Sequence, residues 1–205
     1  MFADCQALQT LDVSHFDTCN VTDMNGMFVS CNSLQTLDVS HFDTSKVIDM
    51  SSMFAACRSL STLDLSHFDT RNVTDMNAMF ASCQALQTLD VSHFDTSKVT
   101  DMPSMFYGCN SLQTLDVSHF DTSKVIDMSS MFEGCQALQT LDVSHFDPHN
   151  TLYKDSMFSD TPFDPFSSPS RDPAAAFTTS LDAAEKQAAE ENTHRPPHTP
   201  PEQER

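Results

Sequence analysis

Three aspartates, one histidine and one cysteine return at a fixed spacing along this 205-residue chain, and their chemistry is the first thing to account for. The columns headed by Asp12, Asp17 and Asp23 hold six, six and five carboxylates, 17 of the 29 acidic residues. Carboxylates in that number offer a negatively charged recognition strip or an oxygen-rich Ca²⁺ site, although no DxDxDG-type loop is present. His15, His41, His67, His93, His119 and His145 could serve as ligands or general bases. Catalysis needs one particular partner set, however, and six equivalent copies point instead to histidines hydrogen-bonded to neighbouring turns. A His ladder beside Asp ladders gains charge below about pH 6.5, so greater stability at mildly acidic pH is expected. Cys5, Cys31, Cys57, Cys83, Cys109 and Cys135 form one column without CxxC spacing, so no zinc site and no other metal site is expected. A buried ladder of reduced thiols is the expectation, with Cys19 exposed and reactive or paired with a partner.

What positions these residues is a 26-residue period, marked by SHF at every histidine of the column. Six units run from about residue 6 to residue 158, and Leu8, Leu11, Val13, Phe16, Val21, Met24, Met27, Phe28 and Cys31 return in nearly all of them. The string NSLQTLDVSHFDTSKVIDMSSMF occurs identically from Asn32 and from Asn110, which points to duplication of a block of about three units.

Each unit reads as two pieces. Alternation around Thr10 to Ser14 predicts a short strand with Leu11 and Val13 inward. Val21, Met24, Met27, Phe28 and Cys31 fall at helical spacing and predict one or two short helical turns, with Asp23 as cap. Such a unit cannot bury its apolar side alone and must stack on its neighbours. The expected fold class is therefore an α/β repeat solenoid, with one parallel β-sheet face and short helical turns on the opposite side. Six rungs at strand spacing give a stack of roughly 29 Å.

Asp17 starts a turn and Asp23 caps one, which gives both a backbone role. Asp12, mid-strand and outward, has no such role by this reading. Its face is the candidate binding surface: Thr10, Asp12, Ser14; Thr36, Asp38, Ser40; Thr62, Asp64, Ser66; Thr88, Asp90, Ser92; Thr114, Asp116, Ser118; and Thr140, Asp142, Ser144. Neighbouring charges about 4.8 Å apart repel by roughly 1 kcal/mol in water, which an exposed ladder can bear. Asn20-Val21-Thr22 and Asn72-Val73-Thr74 match the glycosylation sequon.

Composition narrows the function classes. Ten basic against 29 acidic residues give a net charge of −19, which repels a phosphate backbone and excludes electrostatic nucleic-acid binding. Neither GxGxxG nor GxxxxGK[ST] occurs, and three glycines leave no room for a Gly-rich phosphate loop. No apolar run approaches the roughly 18 to 20 residues of a membrane-spanning helix, so no direct insertion into a membrane is expected.

The pattern LxxLxVSxFDTSxVxDMxxMFxxC resembles the 26-residue repeat class of the BspA-like leucine-rich-repeat surface proteins, over residues 1 to about 158. The resemblance implies a leucine-rich-repeat type solenoid at a cell surface, binding host or microbial proteins in adhesion, with no enzyme activity and no catalytic residues to transfer. Phe16 and its equivalents stand where leucine-rich repeats commonly place Asn, so no Asn ladder is expected. Met1 to Cys5 align with Met27 to Cys31, which places the start inside a repeat and leads us to expect a true N-terminus further upstream. After Asp147 comes Pro148, and the sixth unit departs from the pattern as a cap does. Residues 159–205 read as a Pro/Ala/Glu-rich linker, largely disordered, with a marginal helix from Thr179 to Asn192 and no sortase-type anchor motif.

The function expected is a non-catalytic, acidic interaction solenoid without cofactor, taking a neutral or basic protein partner on the Thr-x-Asp-x-Ser face. Equivalent rungs favour an extended or repetitive ligand through avidity. Two rivals are an intracellular interaction scaffold and a Ca²⁺- or ice-binding ladder.

Overall fold

The computed structural model describes residues 1–146 and 151–163; Asp147, Pro148, the expected tail from residue 164 and its Thr179–Asn192 helix lie outside the described residues. The first residues of that tail instead join the stack, Ser159 O accepting the Gly134 N–H (2.9 Å) and Thr161 being buried. Successive units, beginning at Gln6, Asn32, Arg58, Gln84, Asn110 and Gln136, lie on one another in register as coils. Single parallel bridges link Asp23 to Asp49, Asp49 to Asp75, Asp75 to Asp101, Asp101 to Asp127 and Asp127 to Tyr153.

From Met24 onward, alternate amides cross to the next coil. Met24 N–H donates to Asp49 O (2.9 Å), Gly26 to Ser51 O (2.9 Å), Phe28 to Met53 O (2.9 Å) and Ser30 to Ala55 O (2.7 Å). The amides between them turn back on their own coil, Met27 to Met24 O (3.2 Å), Val29 to Gly26 O (3.1 Å) and Cys31 to Phe28 O (3.2 Å). Among the described residues this segment forms no helix. The reason is backbone conformation: Gly26 and Ser30, like Ser52 and Ala56 one coil on, have φ between 54° and 60°, which a right-handed helix does not admit. A train of tight turns places apolar side chains inward at intervals of three and four, as a helix would, so the two look alike in sequence.

The expected strand differs as well. Along Thr10 to Ser14 and its copies the side chains do alternate, with Val13, Val39, Val91 and Val117 buried and the Thr and Asp residues exposed. Between coils, though, the backbone there is joined only sparsely, by Gln35 N–H to Gln9 O (3.2 Å), Ser61 to Gln35 O (3.4 Å), Gln113 to Gln87 O (2.9 Å), Gln139 to Gln113 O (3.0 Å) and bridges at Thr88–Thr114 and Thr114–Thr140. The continuous ladder therefore runs along the Met–Phe segment, opposite to the division of labour expected from periodicity.

One core threads all coils. Phe2, Phe28, Phe54, Phe80, Phe106, Phe132 and Phe158 stack nearly parallel, with ring centroids 5.7 to 6.0 Å apart. Each interior pair adds roughly 0.5–1.5 kcal/mol to what burial supplies. Met50, Met53, Met76, Met79, Leu60 and Val73 are fully enclosed around the column. Beside it runs a line of buried threonines that periodicity does not reveal. Thr44 Oγ1 donates to Asp69 O (3.2 Å) and accepts from Asp69 N–H (2.7 Å), and Thr70 does the same with Asp95 (3.1 and 2.7 Å). A hydroxyl can do both at once, which satisfies two peptide groups of the next coil with one side chain.

Candidate binding face

The Asp12 column has a backbone role after all, which corrects the expectation that it had none. Asp12 Oδ1 accepts the Ser14 N–H at 2.9 Å, and Asp38, Asp64, Asp90, Asp116 and Asp142 each accept from the serine two residues on at the same distance. A second turn, Phe16 N–H to Val13 O (3.0 Å), follows directly. The other two columns make the same Asx turn, as in Ser45 N–H to Asp43 Oδ1 (3.0 Å) and Asn77 N–H to Asp75 Oδ1 (2.8 Å). The legible signal is Asp-x-Ser/Asn-x-apolar, up to three times per unit, with Cys19 and Arg71 giving the amide in place of Ser or Asn after Asp17 and Asp69. Asp101 breaks it, because Pro103 has no N–H to give; its carboxylate takes the Thr100 hydroxyl instead (2.7 Å).

Hydrogen bonds favour the charged carboxylate. The hydroxyl and amide of Ser14 hold Asp12 below the ordinary range, and Ser40 and Ser118 do the same for Asp38 and Asp116. For Asp64, Asp90 and Asp142 the amide of the serine comes first and its hydroxyl second. Asp75 goes the other way, because burial raises it.

Where the coils pair sparsely the surface is hollow. A groove of about 680 Å³ is lined by Thr36, Leu37, Asp38, Ser40, Thr62, Leu63, Asp64, Thr88 and Asp90. A second of about 360 Å³ shares Thr88 and Asp90 with it and continues through Thr114, Leu115 and Asp116 to Thr140. Leucines form the floor and carboxylates the wall. The structure thus brings together the central candidates. Thr10, Asp12, Ser14 and Asp142 are exposed on the same columns but do not line the groove, nor do Ser66, Ser92, Ser118 and Ser144, whose amides are committed to the Asx turns.

Charge compensation distinguishes the first two Asp columns. Lys46, Lys98 and Lys124 donate to Asn20 Oδ1, Asn72 Oδ1 and Ser97 O, all at 2.8 Å, on the flank of the Asp17 column. Arg71 pairs with Asp69 of that column at 2.8 Å, and among the described residues it is the one ion pair. Neither a lysine nor an arginine acts on Asp38, Asp64, Asp90 or Asp116.

Three of the six column histidines bond to the preceding coil, while His67 Nδ1 meets the Ser66 hydroxyl of its own coil (2.9 Å). His93, His119 and His145 place Nε2 on Leu65 O (2.7 Å), Val91 O (2.9 Å) and Val117 O (2.9 Å), each ring edge-on to the phenylalanine that follows it. Among the described residues no three His, Cys, Asp or Glu side chains converge to hold a metal ion, and no helix is long and apolar enough to cross a membrane. The thiols of Cys57, Cys83, Cys109 and Cys135 are buried, and each donates to the phenylalanine carbonyl 29 residues earlier (3.1 to 3.2 Å). Burial pushes Cys57 and Cys135 up to about 12. Cys19 is exposed, but the Asp17 carboxylate beside it raises its pKa, so the thiolate expected there is suppressed rather than favoured.

Two overlapping stretches, residues 1–90 and residues 80–169, match one family model, described as Mycoplasma protein of unknown function, DUF285. No curated protein and no solved structure matches the chain.

Proposed function

The chain belongs to this DUF285 family, a family without an assigned function, and from that membership and the geometry we propose a non-catalytic interaction protein of the leucine-rich-repeat solenoid type. Its binding face is the Thr-x-Asp-x-Ser surface, acting at a cell surface in adhesion to a protein partner. The observation that carries this reading is the groove from Thr36 to Thr140, in which the same three residue types are presented by coil after coil. Repeated equivalent positions suit a long, repetitive contact, where many weak interactions add through proximity. A singular polar constellation, which catalysis requires, is not what such repetition builds. The BspA-like sequence pattern supports the surface location.

The test is occlusion. In a Cys19→Ser background, Thr62→Cys carries a bulky maleimide label in the groove, and Gln84→Cys carries it outside. Beads coated with the groove-labelled protein should lose adhesion to host cells while those with the outside label keep it. Equal adhesion of both, or adhesion no greater than that of albumin beads without any label, would refute the reading.

A further inference from the structure

We propose that the groove accepts an extended, lysine- or arginine-rich polypeptide segment laid along the stack, a partner class that rests on the interaction reading above and sharpens it. Three independent features converge. The three Asp columns make the same Asx turn, and it is the column of Asp38, Asp64, Asp90 and Asp116 that lines the groove. Neither a lysine nor an arginine acts on that column, whose basic neighbours are the histidines His41, His67, His93, His119 and His145, while the chain's own lysines flank the Asp17 column. The amides of Thr62, Leu63 and Asp64 make no backbone hydrogen bond to a neighbouring coil, and Leu37 and Leu63 line the same groove.

In each turn Oδ1 receives the serine amide, and Asp38, Asp64 and Asp90 are exposed. The turn therefore holds a negative charge, with no lysine or arginine acting on it, at a fixed place on successive coils. Five coils from Thr36 to Thr140 span about 19 Å at strand spacing, room for roughly six extended residues. Alternate side chains of an extended segment repeat at about 6.7 Å against about 4.8 Å for the coils, so the two periods do not match one to one. Flexible lysine side chains absorb that mismatch, and binding depends on the density of positive charge rather than on a strict register.

The geometry supplies its own clean variant. Asp→Asn keeps an Oδ1 to accept the serine amide, so it removes the charge and leaves the turn. The full chain is titrated with an oligolysine of about eight residues at low salt and again at 0.5 M salt, with urea midpoints confirming that each variant is folded. The wild type should bind with an affinity that falls steeply with salt. Asp38→Asn, Asp64→Asn and Asp90→Asn together should weaken binding roughly tenfold, the sum of three exposed ion pairs. Asp43→Asn, Asp69→Asn and Asp95→Asn, with the same charge change on the compensated column, should weaken it by less than about threefold. Equal losses in the two triples would show attraction to net charge only and overturn the proposal. No binding of oligolysine by the wild type would overturn it too, while leaving the occlusion result to decide whether the face binds some other protein.

Discussion

Replacing Thr70 by valine tests whether side-chain hydroxyls, rather than packing alone, fasten one coil to the next. Thr70 is 1% exposed, and its Oγ1 serves both peptide groups of Asp95, accepting the N–H at 2.7 Å and donating to the carbonyl at 3.1 Å. Valine has nearly the same shape, so packing is kept while an amide and a carbonyl lose their partner. Two net hydrogen bonds contribute about 0.5–1.5 kcal/mol each, and part-buried groups left unpaired add a desolvation cost, giving about 2–4 kcal/mol in total. Thr70→Ser keeps the hydroxyl and loses one methyl, at about 1 kcal/mol. Urea unfolding followed by circular dichroism should rank wild type above Thr70→Ser and Thr70→Ser above Thr70→Val, at similar m-values. If packing dominates, the order of the two variants reverses, and a Thr70→Val variant as stable as wild type would refute the role assigned to the threonine line.

Other expectations follow from the same geometry. The depressed carboxyls of Asp12, Asp38, Asp64, Asp90 and Asp116 bind fewer protons folded than unfolded just below their ordinary pKa of 3.8. Their contribution is thus complete above that value and is lost as pH falls through the lower folded one; a melting temperature rising between pH 4 and pH 3 would contradict it. Phe80→Ala in the middle of the ring stack should cost about 3–5 kcal/mol in urea titration, and a loss below about 1 kcal/mol would mean the stack is loosely packed. Ala78 has φ 53° in the column that Gly26 occupies, so Ala78→Gly should be neutral or stabilising by up to about 1 kcal/mol, whereas the same change in a helix would be destabilising. In the folded protein a thiol reagent should leave Cys57, Cys83, Cys109 and Cys135 unmodified and label Cys19 slowly, with Asp17→Asn accelerating it; rapid labelling of the buried column would contradict the packing.

Much of this arrangement is legible in the sequence because repetition turns each position into a column. The inward Leu, Val, Met and Phe positions and the outward Thr and Asp positions follow from periodicity alone. Local backbone conformation does not. Met24, Met27, Phe28 and Cys31 have helical spacing, yet Ser30 and Ala56 sit at positive φ without being glycine, and nothing in their identity announces it. The clue is that all three glycines, Gly26, Gly108 and Gly134, fall in the two columns that need this conformation. Thr18, Thr44 and Thr70 read as turn residues, since a polar side chain gives no sign that its partners lie in another coil. The Asp12 role was hidden for a related reason: placing it mid-strand assigned its neighbours' amides to a sheet, whereas Ser14 gives its amide to the carboxylate. The groove lies where the amides of Thr62, Leu63 and Asp64 are not spent between coils.

Residue-resolved hydrogen exchange measures that last point directly. In the free protein the amides of Met50, Ser52, Phe54 and Ala56, which donate to the next coil at 2.7 to 3.0 Å, should be strongly protected. Those of Thr62, Leu63 and Asp64 should exchange far faster, and slow when a ligand fills the groove. Strong protection along Thr62 to Asp64 in the free protein, with rapid exchange along Met50 to Ala56, would place the ladder on the other side and contradict the account.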